Sequence, residues 1–279
     1  MTQTATSGAR SRRFVPACCA LFVALFGLAT LQLSGTDLAT AGSVLKGPFA
    51  KASTVRVTML ENGKVATTQT DARGAYEVPA VIDGVLVHVA ARGKFFDERT
   101  GKMTKTPITL TAVAHHNQGD RAPEVNVISH LVAARASVLA GHGSRGPFVN
   151  IVMPAVIPVA KESVHGALED ALEQIPRIAA DEIGSQEEGT RSQAHLIHVT
   201  LVVSEAAFMR ARAIGADPGV GTQSLLNDMT FDVATLGRLS PELITELRNA
   251  ERTMDGAAML RNLHDAYGIG GDLIDDYLP

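Results

Sequence analysis

His195 and His198 lie three residues apart in "HLIHVTLVVSEAAFM", a stretch dominated by apolar side chains. On a helix that spacing puts both imidazoles on one face, where together they could grip a metal ion. Glu205 follows two turns later, about 10 Å by helix rise, too far to join them directly. A third ligand would come from elsewhere in the chain, with His165 and His264 as candidates. In the commoner arrangement, such histidines are satisfied by hydrogen bonds at a domain interface. His115-His116 ends a run of alternating residues, so the two rings point to opposite faces and do not chelate one ion. "GHGSRG" (141–146) matches Gly-x-Gly-x-x-Gly in letters only. It follows a helical pattern, where a dinucleotide loop must leave a strand and open a helix, and it reads as a loop.

Other chemistries lack their parts. There is no Gly-x-Ser-x-Gly elbow, no His-Glu-x-x-His helix and no Ser-x-x-Lys with its companions. Glu169 and Asp170 are adjacent, so on a helix they do not face each other and instead decorate a solvated surface. Asp272, Asp275 and Asp276 lack the glycine-punctuated spacing of a calcium loop. "GKFFDERTGKM" (93–103) sets Phe95 and Phe96 beside Asp97, Glu98, Arg99 and Lys102, with a turn at Thr100-Gly101. Phe95, Phe96, Asp97 and Arg99 are the candidate partner-binding residues, as an aromatic amid charges suits a recognition tip. The competing reading packs the second phenylalanine against the helical half. It is the more usual outcome, because exposed apolar patches are uncommon on monomers.

The elements that must position these residues fall into two halves. From Gly42 to about Asn126 the apolar pattern has period two, with Val55, Val57 and Met59 alternating with Thr54, Arg56 and Thr58. "ENGK" (61–64) carries the Asn-Gly pair of a tight hairpin. "DARG" turns again before "AYEVPAV", and "GVLVHVAARG" and "ITLTAVA" supply two more strands. Short strands at this spacing predict an antiparallel β-sandwich. After Pro123 the period changes. Ser129 is placed as the cap of a helix to about Leu139, and further helices span about Lys161–Ile175 and Ser192–Ile214, the last apolar almost all round and therefore buried. "SPEL" (240–243) starts another, with Ser at the N-cap and Pro at N1. Asp255 caps a last long helix burying Met259, Leu260 and Leu263 and ending at Gly268. The Gly/Pro-rich segment 141–160 has no assignment. The expected class is α+β in two domains: the antiparallel sandwich at 42–126 and an all-α bundle of five or six helices at 127–279.

The first 41 residues read as a signal peptide, with an uncleaved membrane anchor as the alternative because the apolar run is at the long end for a signal. Arg10, Arg12 and Arg13 precede the apolar "ACCALFVALFGLATLQL", and Ala39-Thr40-Ala41 fits a small-x-small cleavage site. Cys18 precedes the apolar core rather than ending it, which argues against lipidation. Both cysteines, Cys18 and Cys19, lie in this leader, so the mature chain has neither disulfide nor thiolate chemistry. Cleavage removes three of the 25 basic residues and one of the 29 acidic ones, moving the formal charge from −4 to −6. That balance gives no footprint for nucleic acid or anionic lipid. The absence of Trp, with only three Tyr, argues against a stacking groove.

"VLKGPFAKASTVRV", "TQTDARGAYEV" and "GVLVHVAARGKFFDERTGK" resemble a family of exported bacterial proteins of largely unknown function. Its members open with a Lys-Gly-Pro-Phe strand in a carboxypeptidase-regulatory-like (transthyretin-like) β-sandwich. "VNVISHLVAAR" is similar to the junction at which that family's helical half begins, and "LLNDMTFDVATLGRLSPELITELRNA…LRNLHDAYGIG" to its helical tail. The resemblance covers most of 42–275 except 141–190, and it brings no catalytic residues. With the leader, the composition and the missing catalytic motifs, the expected function is an exported, non-catalytic binding or scaffolding protein without cofactor, periplasmic, cell-surface or secreted. Its partner would be a protein or glycan of the envelope, with no nucleic acid and no membrane insertion after cleavage. The alternatives are a metal-dependent hydrolase using His195 and His198, and a structural component of a surface assembly that displays the Phe95–Phe96 hairpin.

Overall fold

The computed structural model describes residues 41–78, 82–141, 149–173 and 186–269. Period-two patterning produces the strands where it was legible. In β2 (Thr54–Met59), Val55, Val57 and Met59 are buried while Thr54 and Arg56 face solvent. The chain reverses through the Asn-Gly turn, where the Asn62 side chain accepts from the Lys64 N–H at 2.9 Å. It returns as β3 (Val65–Gln69). With β5 (Val85–Gly93) and β8 (Ile108–His116) these strands form a four-stranded antiparallel sheet in the order β3-β2-β5-β8. A smaller sheet sets β1 (Gly42–Leu45) between β4 (Ala75–Tyr76), antiparallel, and β9 (Val125–Asn126), parallel. A ribbon of β6 (Phe96–Asp97) and β7 (Lys102–Met103) completes the strands.

Six helices follow among the described residues: α1 (Val127–Leu139), α2 (Val149–Ala171), α3 (Gln186–Ala213), α4 (Pro218–Leu236), α5 (Pro241–Thr253) and α6 (Gly256–Tyr267). The class is mixed α+β. Ser129 is not the cap of α1. Asn126 is, its side chain accepting from the Ser129 N–H while Ser129 Oγ accepts from the Asn126 N–H, a reciprocal box that satisfies two donors. The second correction concerns 141–160. Despite Pro154 and Pro158, α2 is helical from Val149. Met153, Ala160, Val164, Leu168 and Ala171 are buried at helical spacing, and that apolar stripe outweighs two lost backbone bonds. Ser240 and Asp255 cap α5 and α6 as expected, and Gly268 ends α6 in the left-handed conformation.

The described residues belong to one compact unit. A single apolar cluster runs from Val44, Val57, Val89 and Leu110 through Leu131 and Leu168 to Val202, Leu225 and Leu247. The boundary between 126 and 127 is thus a change of secondary structure inside a shared core. Where α3 and α4 cross, a Cβ on Gly221 would lie 2.0 Å from the Ala207 carbonyl oxygen, so only glycine allows that approach. A second, smaller cluster joins Phe96 of the ribbon to Ile197, Leu201, Met259, Leu260 and Leu263 of the helices.

Candidate functional site: a histidine-walled cleft beside a buried ribbon

α3 carries both histidines that the spacing singled out, and each meets a different partner. His198, 4% exposed, places Nε2 2.8 Å from Glu251 Oε1 on α5. Glu251 Oε2 in turn accepts the Glu173 N–H at 2.8 Å. His195, 2% exposed, instead lies edge-on to His165 of α2, with ring centroids 5.4 Å apart. Neither nitrogen of His195 has a hydrogen-bond partner among the described residues. Burial, reinforced by the neighbouring His165 and His198, pulls its pKa down to about 4. His165 is lowered too, chiefly by burial, against the upward pull of Glu169. Both rings are therefore drawn toward the neutral form, in which each offers one donor and one acceptor.

The third-ligand candidates separate. His165 adjoins His195, whereas His264 is exposed in the last turn of α6. Glu205 is held by Arg99, whose Nε lies 2.7 Å from its Oε2. No group of three or more His, Cys, Asp or Glu side chains suited to a metal occurs among the described residues. His115 is exposed and His116 buried, on opposite faces of β8 as the alternation required. Glu169 and Asp170 are both exposed on α2. Gly141 follows α1, and the remainder of "GHGSRG" lies outside the described residues, as do Asp272, Asp275 and Asp276.

His165 and His195 wall a cleft of about 660 Å³ between the small sheet and helices α1–α3. Ser43, Asn126, Ser129, Arg121, Glu124 and Lys161 are among its lining residues. Arg121 is paired with Glu124 at 3.2 Å. Apolar side chains such as Leu45, Ile128 and Leu196 share the lining with these polar groups, and no phenyl or indole platform is among them. They suit a polar ligand carrying a carboxylate better than a stacked ring.

The aromatic hairpin is corrected by its burial. Phe95 is fully buried, packed on Phe49 at a centroid distance of 6.3 Å. Phe96, 7% exposed, meets the edge of Tyr267 at 5.2 Å. Asp97 is also buried, and its Oδ1 accepts from the Arg99 and Thr100 N–H groups, which shapes the turn. Arg99 lies over the Phe208 ring at 5.2 Å. Of the four residues chosen as a recognition tip, Phe96 and Arg99 thus join the ribbon to the helices, while Phe95 packs on Phe49 and Asp97 shapes the turn. An apolar surface this large gains more from that contact than from exposure.

Sequence reasoning missed the residues at the heart of this joint. Lys46 and Glu98 are 1% and 0% exposed, with Nζ 3.3 Å from Oε2. Ser204 of α3 sits between them, its Oγ 2.6 Å from Nζ and 2.7 Å from Oε2. Lys46 Nζ also lies 4.9 Å from the centre of the Phe95 ring. Gly47 has φ +65, and a Cβ there would lie 1.8 Å from the Phe96 carbonyl oxygen, so the chain passes the ribbon only because this residue is glycine. The available signal was a lysine set among Val44, Leu45 and Phe49: a cation in an apolar run must find an acid. The chain matches no protein-family model, no curated protein and no solved structure.

Proposed function

We propose that this is an exported, non-catalytic binding or scaffolding protein of the cell envelope, and that the histidine-walled cleft holds its partner. One observation carries the reading: His195 is nearly fully buried on the cleft wall, with both ring nitrogens lacking a hydrogen-bond partner among the described residues. A buried polar group of that kind carries a desolvation cost unless a bound molecule supplies the missing bond. With Lys161 beside it, and Arg121 already paired with Glu124, the favoured occupant is a protein segment presenting an acidic side chain or a terminal carboxylate to Lys161 and His195. Glycan binding fits less well, for want of an aromatic platform.

The proposal extends to architecture. The four-stranded and three-stranded sheets are read as the two layers of a regulatory-like sandwich, supported by Val57, Val89 and Leu110 of one sharing a cluster with Val44, Tyr76 and Val125 of the other. The helical half is read as a bundle that closes the cleft. Ile151–Ala171 is long and apolar enough to cross a membrane, yet Met153, Val164 and Leu168 pack into the core, so we read α2 as a core helix.

The test is a titration of histidine-labelled protein, followed by NMR, with short acidic peptides and with neutral oligosaccharides. Acidic peptides should shift the His165 and His195 signals saturably, and His195→Leu or Lys161→Glu should abolish the effect. If acidic peptides leave both signals in place, the cleft is not the binding site.

A further inference from the structure

Lys46, Glu98 and Ser204 are too deeply buried for a dissolved substrate to reach them, so any chemistry open to them is with one another. We propose that Lys46 and Glu98 condense to an intramolecular isopeptide bond between Nζ and Cδ, with release of one water molecule. Three features of the joint support this. The amine and the acid are already in contact at 3.3 Å, held there by β1, by the ribbon and by the Phe95 ring above Nζ. That contact is between Nζ and Oε2, one bond from the carbon to be attacked, and holding the two groups together lowers the entropic cost of their reaction. The Ser204 hydroxyl bridges them, accepting from Nζ at 2.6 Å and donating to Oε2 at 2.7 Å, as a proton relay must. Its alternative acceptor, the Thr200 carbonyl at 2.7 Å, fixes the hydroxyl in place.

The step balances without any co-reactant. A proton passes from the Lys46 ammonium through Ser204 to the Glu98 carboxylate. The neutral amine's electron pair then forms the N–C bond at Cδ. The bond from Cδ to the protonated oxygen breaks, and that oxygen leaves as water with a proton released from nitrogen. No atom changes its net oxidation state.

The surroundings favour the product. Burial raises the Glu98 pKa, against the opposing pull of Lys46 and the Ser204 hydrogen bond, which places the acid nearer the neutral form that reacts. Oε1 has no hydrogen-bond partner among the described residues, a costly state for half a carboxylate and a milder one for an amide carbonyl. A cavity of about 60 Å³, lined by Glu98, Gly47, Pro48 and Leu263, gives the released water a place to go. Its apolar walls then keep water scarce for the reverse reaction. The bond would tie residue 46 to residue 98, in a region whose sequence has no cysteine and so no disulfide to do the same.

Mass spectrometry of the denatured, purified full chain decides the matter. With the observed N-terminus taken into account, the expected mass is lower than the sequence mass by one water. Tryptic digestion should leave the Lys46–Gly47 bond uncut and yield one branched peptide containing both Lys46 and Glu98. In Lys46→Arg the mass deficit should vanish. Ser204→Ala should give a mixture of linked and unlinked chains, because the relay is lost while the reactants remain. A wild-type chain of full sequence mass, cleaved by trypsin after Lys46 and giving a linear Glu98 peptide, overturns the proposal. That reading needs no variant to fold.

Discussion

Replacing Phe96 with alanine tests whether the ribbon is a structural joint. The ring is 7% exposed and packs with Ile197, Leu201, Met259, Leu260 and Leu263, while Tyr267 meets it edge-on at 5.2 Å. Truncating a buried phenylalanine to alanine costs about 3–5 kcal/mol, through lost transfer energy and the cavity left behind. The aromatic pair contributes about 0.5–1.5 kcal/mol of its own, which a cycle combining Phe96→Ala with Tyr267→Leu isolates. For a chain of this size each kcal/mol moves the melting temperature by about 2–4 °C, so the expected fall is about 6–20 °C. Urea unfolding followed by far-ultraviolet circular dichroism is the suitable assay, since the chain contains no Trp to report by fluorescence. Phe231, 68% exposed on α4, is the control: its alanine variant should stay within about 0.5 kcal/mol of wild type. A Phe96→Ala variant that loses less than about 1 kcal/mol would refute the reasoning, because no cavity of the expected size would then have formed.

Two further outcomes follow from the same physics. Val57 is fully buried in β2, so Val57→Asp should unfold the protein by placing an unpaired charge in the core; a soluble, cooperatively melting variant would show that β2 does not face inward. His130, bonded to Thr111 Oγ1 at 2.9 Å, has its pKa lowered from 6.5 to about 4, chiefly by burial and secondarily by His88. The unfolded chain then binds a proton that the folded chain refuses, so stability should decline as pH falls from 6.5 toward 4 and level off below, with a slope from this group of at most about 1.4 kcal/mol per pH unit. His195 is lowered in the same direction and should act in the same window. His130→Asn should flatten part of that slope, and an NMR titration midpoint near the ordinary histidine value would contradict the assignment.

What the sequence made legible was local. Alternation of Val55, Val57 and Met59 specified which face of β2 is buried, and the Asn-Gly pair specified its hairpin, because both signals lie within a few residues of the structure they determine. Ser240-Pro241 and Asp255 announced the starts of α5 and α6 for the same reason. One failure came where a local rule met a tertiary gain, the other where two neighbouring polar residues competed for one cap. Pro154 and Pro158 argued against a helix, yet the apolar stripe from Met153 to Ala171 made one by burying itself. Ser129 belongs to the capping box of α1, but Asn126 outbids it as the cap because its own side chain reaches the N3 amide.

The candidate chemistry was harder to read, since its parts are far apart in the chain. His195 and His198 stood out because they are close in sequence, but folding gives them different neighbours, one from α2 and one from α5. Lys46, Glu98 and Ser204 were not recognisable as a group, the first two lying 52 positions apart and the last two 106. Each has an ordinary sequence environment except Lys46, whose apolar neighbours required an acid without naming it. The topology supplies the name: β1 delivers Lys46 to the ribbon, the turn after Asp97 presents Glu98, and one face of α3 brings Ser204. Asn262 of α6 donates to the Glu98 carbonyl at 2.8 Å and so fixes that turn from the other side. The segment after β1 and helix α3 thus meet at the Glu98 carboxylate, while α6 holds its backbone. The bond proposed for Lys46 and Glu98 expels one water molecule, so the mass of the denatured chain is the quantity that tests it.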